Sequence, residues 1–262
     1  MRIIYVSFKN MVKENIKFTV ITVCFNSEKT IKCTFESILN QTYKNIEYIV
    51  IDGNSSDSTL QIIKSYQQKF TEKGISYRWI SEPDRGIYDA MNKGINLSEG
   101  NLIGILNSDD WYETNALENI KNLYNKSNAD FIHGNLNLYS PEKEFIKTLK
   151  PKKNYIVKRK MPFFHPTSFV SKKIYNKLDG YSLNYKICSD YDLIIKIINN
   201  NFKISYLDKV ITNFTIGGVS TTSIKEALQE SHFVRINNGY NRVSSKLNYY
   251  LESLICRIRY KR

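Results

Sequence analysis

Between Phe18 and Leu106, four apolar stretches alternate with segments whose apolar residues recur at helical spacing. The stretches are Phe18–Cys24, Ile46–Ile51, Ile75–Ile80 and Leu102–Leu106. Strands joined through single helices run parallel, because a parallel crossover needs a dozen or more residues whereas a hairpin needs two. The pattern therefore predicts an α/β chain with a largely parallel sheet. Helical spacing is clearest in Ile31, Phe35, Ile38 and Leu39, preceded by Ser27 as a capping residue, and in Leu60, Ile63 and Tyr66, preceded by Asp57. Ile87–Leu97 reads as a third helix, ending near Gly100.

The fourth stretch ends in Asn107-Ser108-Asp109-Asp110-Trp111, which places two adjacent carboxylates at a strand's carboxyl tip. Open α/β sheets bind ligands along that rim. Neighbouring carboxylates repel each other and resist desolvation unless a cation is near. Oxygen ligands of this kind suit magnesium or manganese bound together with a diphosphate. The alternative is that Asp109 or Asp110 caps a helix beginning near Thr114.

Two more tips point to the same rim, Val23-Cys24-Phe25-Asn26 and Asp52-Gly53-Asn54-Ser55-Ser56-Asp57. Asp52 can accept from a base imide or a ribose hydroxyl there, while Asp57 suits a helix cap. In the mixed-charge loop Glu82 to Gly94, Arg85 can fork onto a phosphate or hold a carboxylate, and Lys93 can pair with Asp89 four residues before it. Neither a P-loop nor a G-x-G-x-x-G fingerprint is present.

Charge narrows the partners. A net charge of +13 favours a polyanion: nucleotide, nucleic acid or anionic membrane surface. The four cysteines, Cys24, Cys33, Cys188 and Cys256, form no C-x-x-C pair, which argues against zinc or a disulfide framework and for a reducing cytoplasm. No stretch reaches the roughly 18 apolar residues that span a bilayer, and the run from Arg2 to Lys9 is short for a secretory signal.

After Asp110 the register changes. Phe131–Tyr139 and Phe145–Leu149 read as mixed strands, Lys150–Lys160 as a basic loop, Phe169–Lys177 as strand to helix, Asp190–Asn200 as a helix and Phe202–Phe214 as two short strands. The expected organisation is an extension over 1–17 and a domain over 18–220, the latter divided into a nucleotide half (18–110) and an acceptor half (111–220). A basic helical tail follows over 221–262.

Taken in order and spacing, VITVCFN, VIDGNSSDST, EPDRGIYDAMNKG and LNSDD resemble the inverting glycosyltransferases of family 2, over about Phe18 to Ser220. The resemblance implies a GT-A fold: a Rossmann-like nucleotide half with a mostly parallel sheet flanked by helices, and an acceptor half with mixed strands. It implies a nucleotide-sugar donor and a divalent metal, Mg or Mn. Val23 and Phe25 would line the base pocket, Asp52 contact the base, Asp84 and Arg85 border the diphosphate, Asp109 meet ribose or sugar, and Asp110 meet the metal. Tyr185 to Leu193 resembles the family's Glu-Asp-x-Asp-Leu segment, with Ser189 in place of glutamate, and makes Asp190 the general base. The alternative for Asp190 is a helix N-cap. Phe164 to Ser168 resembles an acceptor-side stretch, where His165 touches acceptor or diphosphate or is a buried fixture. Gly217-Gly218-Val219-Ser220 resembles a loop near the donor, with plain turn geometry as the alternative. The chain departs from the family at Asn107, where Asp is frequent, leaving fewer metal ligands. It lacks the Gln-x-x-Arg-Trp motif of processive synthases, which favours a single addition per encounter.

The tail from Arg242 to Arg262 carries six basic residues against Glu252 alone, a net of +5. Val243, Leu247, Leu251, Leu254 and Ile258 recur at helical spacing, as in a helix lying on an anionic bilayer or one docked on the protein's own core. The sequence reading is thus a non-processive, metal-dependent transferase of surface polysaccharide biosynthesis. It moves a sugar, most readily from a UDP-sugar, to a saccharide or polyprenyl-diphosphate-linked acceptor. The expected location is the cytoplasm, peripheral on the inner face of the membrane, with no nucleic-acid partner. A nucleotidyltransferase and a catalytically silent saccharide-binding module are the rival readings. The first lacks its glycine-rich loop after the first strand, and the second leaves Asp52, Asp109, Asp110 and Asp190 without a purpose.

Overall fold

A computed structural model describes residues 15–217 and 223–259. Four parallel strands open the chain: β1 (Phe18–Cys24), β2 (Ile46–Asp52), β3 (Ser76–Ser81) and β4 (Leu102–Ile105), arranged in the order β3-β2-β1-β4. Between them run α1 (Ile31–Leu39), the short α2 (Thr59–Ser65) and α3 (Gln67–Glu72), and α4 (Ile87–Leu97). The central strands read as unbroken apolar runs because both sheet faces are covered. Phe18 and Val20 of β1 and Tyr48 and Val50 of β2 pack on one face with Phe35 and Phe70. Ile21, Val23, Ile49 and Ile51 pack on the other with Tyr88 and Met91 of α4.

The same sheet continues beyond β4. The short β5 (Trp111–Tyr112) and α5 (Ala116–Ser127) are followed by β6 (Phe131–Tyr139), β7 (Phe145–Leu149), β8 (Phe169–Ser171), α6 (Lys172–Leu178), α7 (Ser189–Asn199) and β9 (Ile204–Thr215). Here the pairing is mixed: β8 lies antiparallel to β4 and β6, whereas β6 and β9 run parallel. Two sequence expectations need correction. The two short strands expected over Phe202–Phe214 are one long strand, Ile204–Thr215, its register against β6 shifting between Gly134 and Leu136. The basic loop contains a 3-10 turn over Asn154–Lys158.

Ser27 does not cap α1 with its side chain; Thr30 is the N-cap, and the Ser27 carbonyl accepts from Thr30 and Ile31. Nor is Asp57 the N-cap of α2, which is Ser58; its carboxylate accepts from Thr59 N–H at 2.9 Å at the entry to that helix.

Two further helices, α8 (Ile224–Asn237) and α9 (Arg242–Arg259), close the described chain. The long helix docks by an unusual face. Its buried residues are the polar Ser245 and Asn248, while Val243, Leu247, Tyr250, Leu251, Leu254 and Ile258 are exposed. These residues share one helical face. Among the described residues no helix is long and apolar enough to cross a membrane.

Candidate active site

In the order β3-β2-β1-β4 the winding of the sheet reverses beside β1, and in open α/β sheets the ligand crevice lies at such a point, outside the strands' carboxyl ends. The loops beyond those ends are stitched together. Asn26 N–H donates to Ser55 Oγ at 2.8 Å, Asn26 Oδ1 accepts from Ser56 N–H at 2.9 Å, and the Ser27 and Ser108 hydroxyls are 2.8 Å apart. Asn26 and Asn54 hold positive φ, 50° and 64°, a conformation Asn tolerates better than most side chains. The tips of β1, β2 and β4 thus form one rim.

On that rim Asp52 is fully buried. It accepts from Ser81 Oγ at 2.6 Å, from the Ser55 hydroxyl and N–H, and from the Cys24 thiol. Its carboxylate therefore organises the turn after β2. Val23 is also buried, within the core packed on α4, whereas Phe25 is 63% exposed at the edge of the crevice. Asp84 lies over the same turn: a Cβ on Gly53 would stand 2.6 Å from Asp84 Oδ2 and 3.5 Å from Phe25 Cδ2. Gly53 thus brings Phe25 and Asp84 together. Gly53→Ala is expected to push Asp84 away and raise the KM of the ligand bound at this rim about tenfold, as a misplaced positioning group does, with the melting temperature nearly unchanged. Steady-state kinetics and a thermal scan check this.

Asp84 also accepts from Gly86 N–H at 2.8 Å, and Gly86, with φ 115°, supplies the N-cap of α4. Arg85 is exposed and ion-paired to Asp89 at 2.8 Å. Lys93 bridges Glu82 at 2.8 Å and lies 3.9 Å from Asp89, the structural pairing its spacing suggested.

The aspartate pair occupies the tip of β4. Neither residue caps α5, whose N-cap is Asn115. Asp110 is fully buried; its carboxylate accepts from Thr215 N–H at 3.0 Å and from Asn107 Nδ2 at 3.3 Å, and its carbonyl from Thr34 Oγ1 at 2.7 Å. Burial, reinforced by the charge of Asp109, pushes its carboxyl well above the ordinary carboxylate range. Burial also raises Asp109, partly offset by the Lys143 ammonium. Lys143 comes from the turn between β6 and β7, donates to the Asp109 carbonyl and the Thr215 hydroxyl, both at 2.7 Å, and lies over the Trp111 ring. Beside the pair, Asn107 Oδ1 is buried with no hydrogen-bond partner among the described residues. Two carboxylates made costly by burial and an orphaned amide oxygen form an oxygen donor set that suits a hard divalent cation. No cluster of three or more metal-binding side chains occurs among the described residues. A magnesium-type site normally takes its remaining ligands from substrate phosphates and water.

A second group of side chains forms at the start of α7. Asp190 is not the N-cap, which is Cys188; it sits in the first turn and accepts from Tyr191 N–H at 2.8 Å and Tyr88 OH at 3.3 Å. Burial raises its carboxyl, and neighbouring His165 pulls it partly back. His165 Nε2 is 2.8 Å from Tyr181 OH, and burial lowers the imidazole's pKa. The α4 motif clamps this region. Tyr88 OH donates to the Ile187 carbonyl at 2.6 Å, and the Asn92 amide both accepts from and donates to the Tyr181 backbone at 2.8 Å. Gly180, with φ 67°, must be glycine on both counts, since a Cβ there would meet Asn92 Oδ1 at 2.5 Å.

Asp52, Asp84, Phe25, Asp109 and Asp110 are therefore gathered at the strand tips, and Asp190 and His165 beside each other at the start of α7. Tyr88 and Asn92 lay inside a recognised motif without an assigned role. Lys143 and Thr215 carry no sequence signal, since only the β6–β9 pairing brings them to Asp110. Of the glycine-containing loop, Gly218, Val219 and Ser220 lie outside the described residues.

The strand order sets the paired carboxylates of the β4 tip at the switch point, where open α/β sheets bind ligands. The family model for glycosyl transferase family 2 matches residues 19–186, and the chain belongs to that family. It is a glycosyltransferase with the GT-A fold. It is 27% identical over 223 residues to the Escherichia coli UDP-Glc:alpha-D-GlcNAc-diphosphoundecaprenol beta-1,3-glucosyltransferase WfaP, covering 83% of this chain and 85% of that one. Residues 1–349 of S. aureus TarS, solved in complex with UDP-GlcNAc, share the fold with a TM-score of 0.66 at 20% identity, over 89% of this chain and 70% of that one. The mannosyltransferase PcManGT from Pyrobaculum calidifontis, solved with GDP-Man and Mn2+, aligns with a TM-score of 0.64 at 18% identity, over 90% and 69%.

Proposed function

We propose that this glycosyltransferase is inverting and non-processive, moving a sugar from a UDP-sugar to a hydroxyl of a lipid-linked saccharide during surface polysaccharide assembly. The observation that carries the reading is α4: its N-terminus borders the donor rim through Asp84 and Arg85, and its next turns grip the acceptor segment bearing Asp190 through Tyr88 and Asn92. Donor and acceptor groups are thus held by one rigid element. WfaP, whose name specifies a UDP-sugar and a diphospholipid-linked acceptor, supports the substrate classes.

In this reading the uracil lies against Phe25, with Asp84 facing its polar edge and Asp52 fixing the turn beneath. Asp109 faces the ribose or the sugar, and Arg85 leaves Asp89 to meet the diphosphate. Asp110 and the Asn107 amide oxygen would hold a divalent cation, which supplies charge neutralisation for the departing diphosphate. Asp190 takes the proton from the attacking hydroxyl, its raised basicity suiting it to that task. His165 orients the acceptor through Tyr181.

Incubation with a nucleotide-sugar panel, Mn2+ and an alkyl-diphosphate-linked saccharide tests the reading. UDP release coupled to a lengthened acceptor is expected. Pyrophosphate release would instead mean nucleotidyl transfer, and no release would mean a silent binding module.

The exposed apolar face of α9, bordered by Lys246 and Arg257, suits the interface of an anionic membrane, where such an acceptor resides. Leu247→Asp with Leu254→Asp is expected to abolish co-sedimentation with phosphatidylglycerol vesicles while leaving the melting temperature unchanged. Equal binding of the double variant and the parent protein would refute membrane docking by this face.

A further inference from the structure

A cavity of about 260 Å³ opens beside Asp190, between the start of α7, the residues after the 3-10 turn, and the two C-terminal helices. Its walls carry Arg159, Lys160 and Arg235, opposed by Asp190 and Glu252. Arg235 is 2% exposed. Among the described residues its guanidinium meets neutral groups: it donates to Ser245 Oγ at 2.9 Å, the Arg159 carbonyl at 2.9 Å and the Ser245 carbonyl at 3.5 Å, and lies against the Tyr191 hydroxyl. Among the described residues no carboxylate lies within ion-pair distance of Arg235 or Arg159, and Glu252 pairs with Lys160 at 3.7 Å.

Burying a cation without a counter-ion is costly, and a binding cavity is where an arriving anion recovers that cost. Arg159 Nε also reaches Asn248 Oδ1 at 3.5 Å, so both arginines are fastened to α9, the helix that turns its apolar face outward. The cavity therefore joins the general base to the outward-facing helix.

We infer that this cavity is an acceptor subsite for a phosphate or diphosphate ester, with Arg235 and Arg159 holding the anion while the attached sugar presents its hydroxyl to Asp190. The inference rests on the transferase reading above and names the group by which the acceptor is recognised. It assigns α8 and α9 a role in substrate choice as well as in docking. The arginine fork matches phosphate oxygens, whereas a lysine would offer a point charge.

The test compares two acceptors carrying the same saccharide, one on an alkyl diphosphate and one on an alkyl chain without phosphate. For the full-length protein, the diphosphate acceptor should show a KM at least tenfold below the phosphate-free one. Arg159→Gln should erase most of that ratio by raising only the diphosphate acceptor's KM. Arg235→Lys should do the same, while Arg235→Gln serves as the charge-deletion control if its thermal midpoint holds. Inorganic pyrophosphate, titrated calorimetrically with UDP saturating the donor site, should bind the parent protein and lose about tenfold in affinity in Arg159→Gln.

A KM ratio near unity, or one untouched by Arg159→Gln, would overturn the subsite while leaving lipid-linked transfer intact. Transfer to phosphate-free acceptors alone, with pyrophosphate binding still sensitive to Arg159→Gln, would overturn the acceptor reading and keep the subsite as one for a soluble phosphate ester.

Discussion

Replacing Asp190 with Asn is expected to lower transfer about 10³-fold while leaving UDP affinity nearly unchanged, because a positioned general base is typically worth 10²–10⁴-fold. The carboxyl is raised by burial, so the parent protein's rate should climb with pH through that raised value, and the variant's residual rate should lack this limb. Stability moves the other way. A carboxyl whose folded pKa lies above its unfolded one contributes stability below the unfolded value, and loses that contribution as pH rises through the folded one. Above that raised value the ionised Asp190 is therefore a burden on the fold, and there Asp190→Asn should melt higher than the parent protein. Lost activity together with a raised melting point separates a missing base from a damaged structure. A large loss of UDP binding would refute the assignment.

Asp110→Asn should abolish metal-dependent activity and with it the thermal stabilisation that Mn2+ gives in the presence of UDP. A ligand at a hundred times its Kd adds about 2.7 kcal/mol. For a domain of this size that shifts the melting temperature by on the order of 5–10 °C. Above the raised pKa of that carboxyl the metal-free variant should also be more stable than the metal-free parent, since Asn removes a carboxylate that burial and Asp109 make unfavourable. Differential scanning calorimetry with and without Mn2+ and UDP reads both effects. An undiminished Mn2+ shift in the variant would place the cation elsewhere.

Much of the donor side was legible because it is written in short-range pattern. The runs Phe18–Cys24 and Ile46–Asp52 are apolar since both their faces are covered, and the polar residues that follow mark where cover ends and a rim begins. In the mixed half Phe131–Tyr139 and Phe145–Leu149 are strands as expected, whereas the two short strands expected over Phe202–Phe214 are the single strand Ile204–Thr215. Roles were harder to read than places. Asp52 stands at the strand tip, yet its carboxylate is filled by Ser55, Ser81 and Cys24, partners that come from three different loops or strands. The N-cap reading of Asp190 failed because Cys188, two residues earlier, occupies that position.

By itself the sequence determined the four-strand parallel core, the acidic tip after β4 and the family motifs, because each is a matter of local alternation and spacing. Only the tertiary structure decided that Lys143 and Thr215 meet the aspartate pair, that Tyr88 reaches Asp190, and that α9 turns its leucines outward. Hydrophobic periodicity marks that a helix has an apolar face, but what that face meets depends on which polar groups can be satisfied inside. Here the carbonyl of Arg159 and the guanidinium of Arg235 claim Asn248 and Ser245, and so turn the polar face of α9 inward.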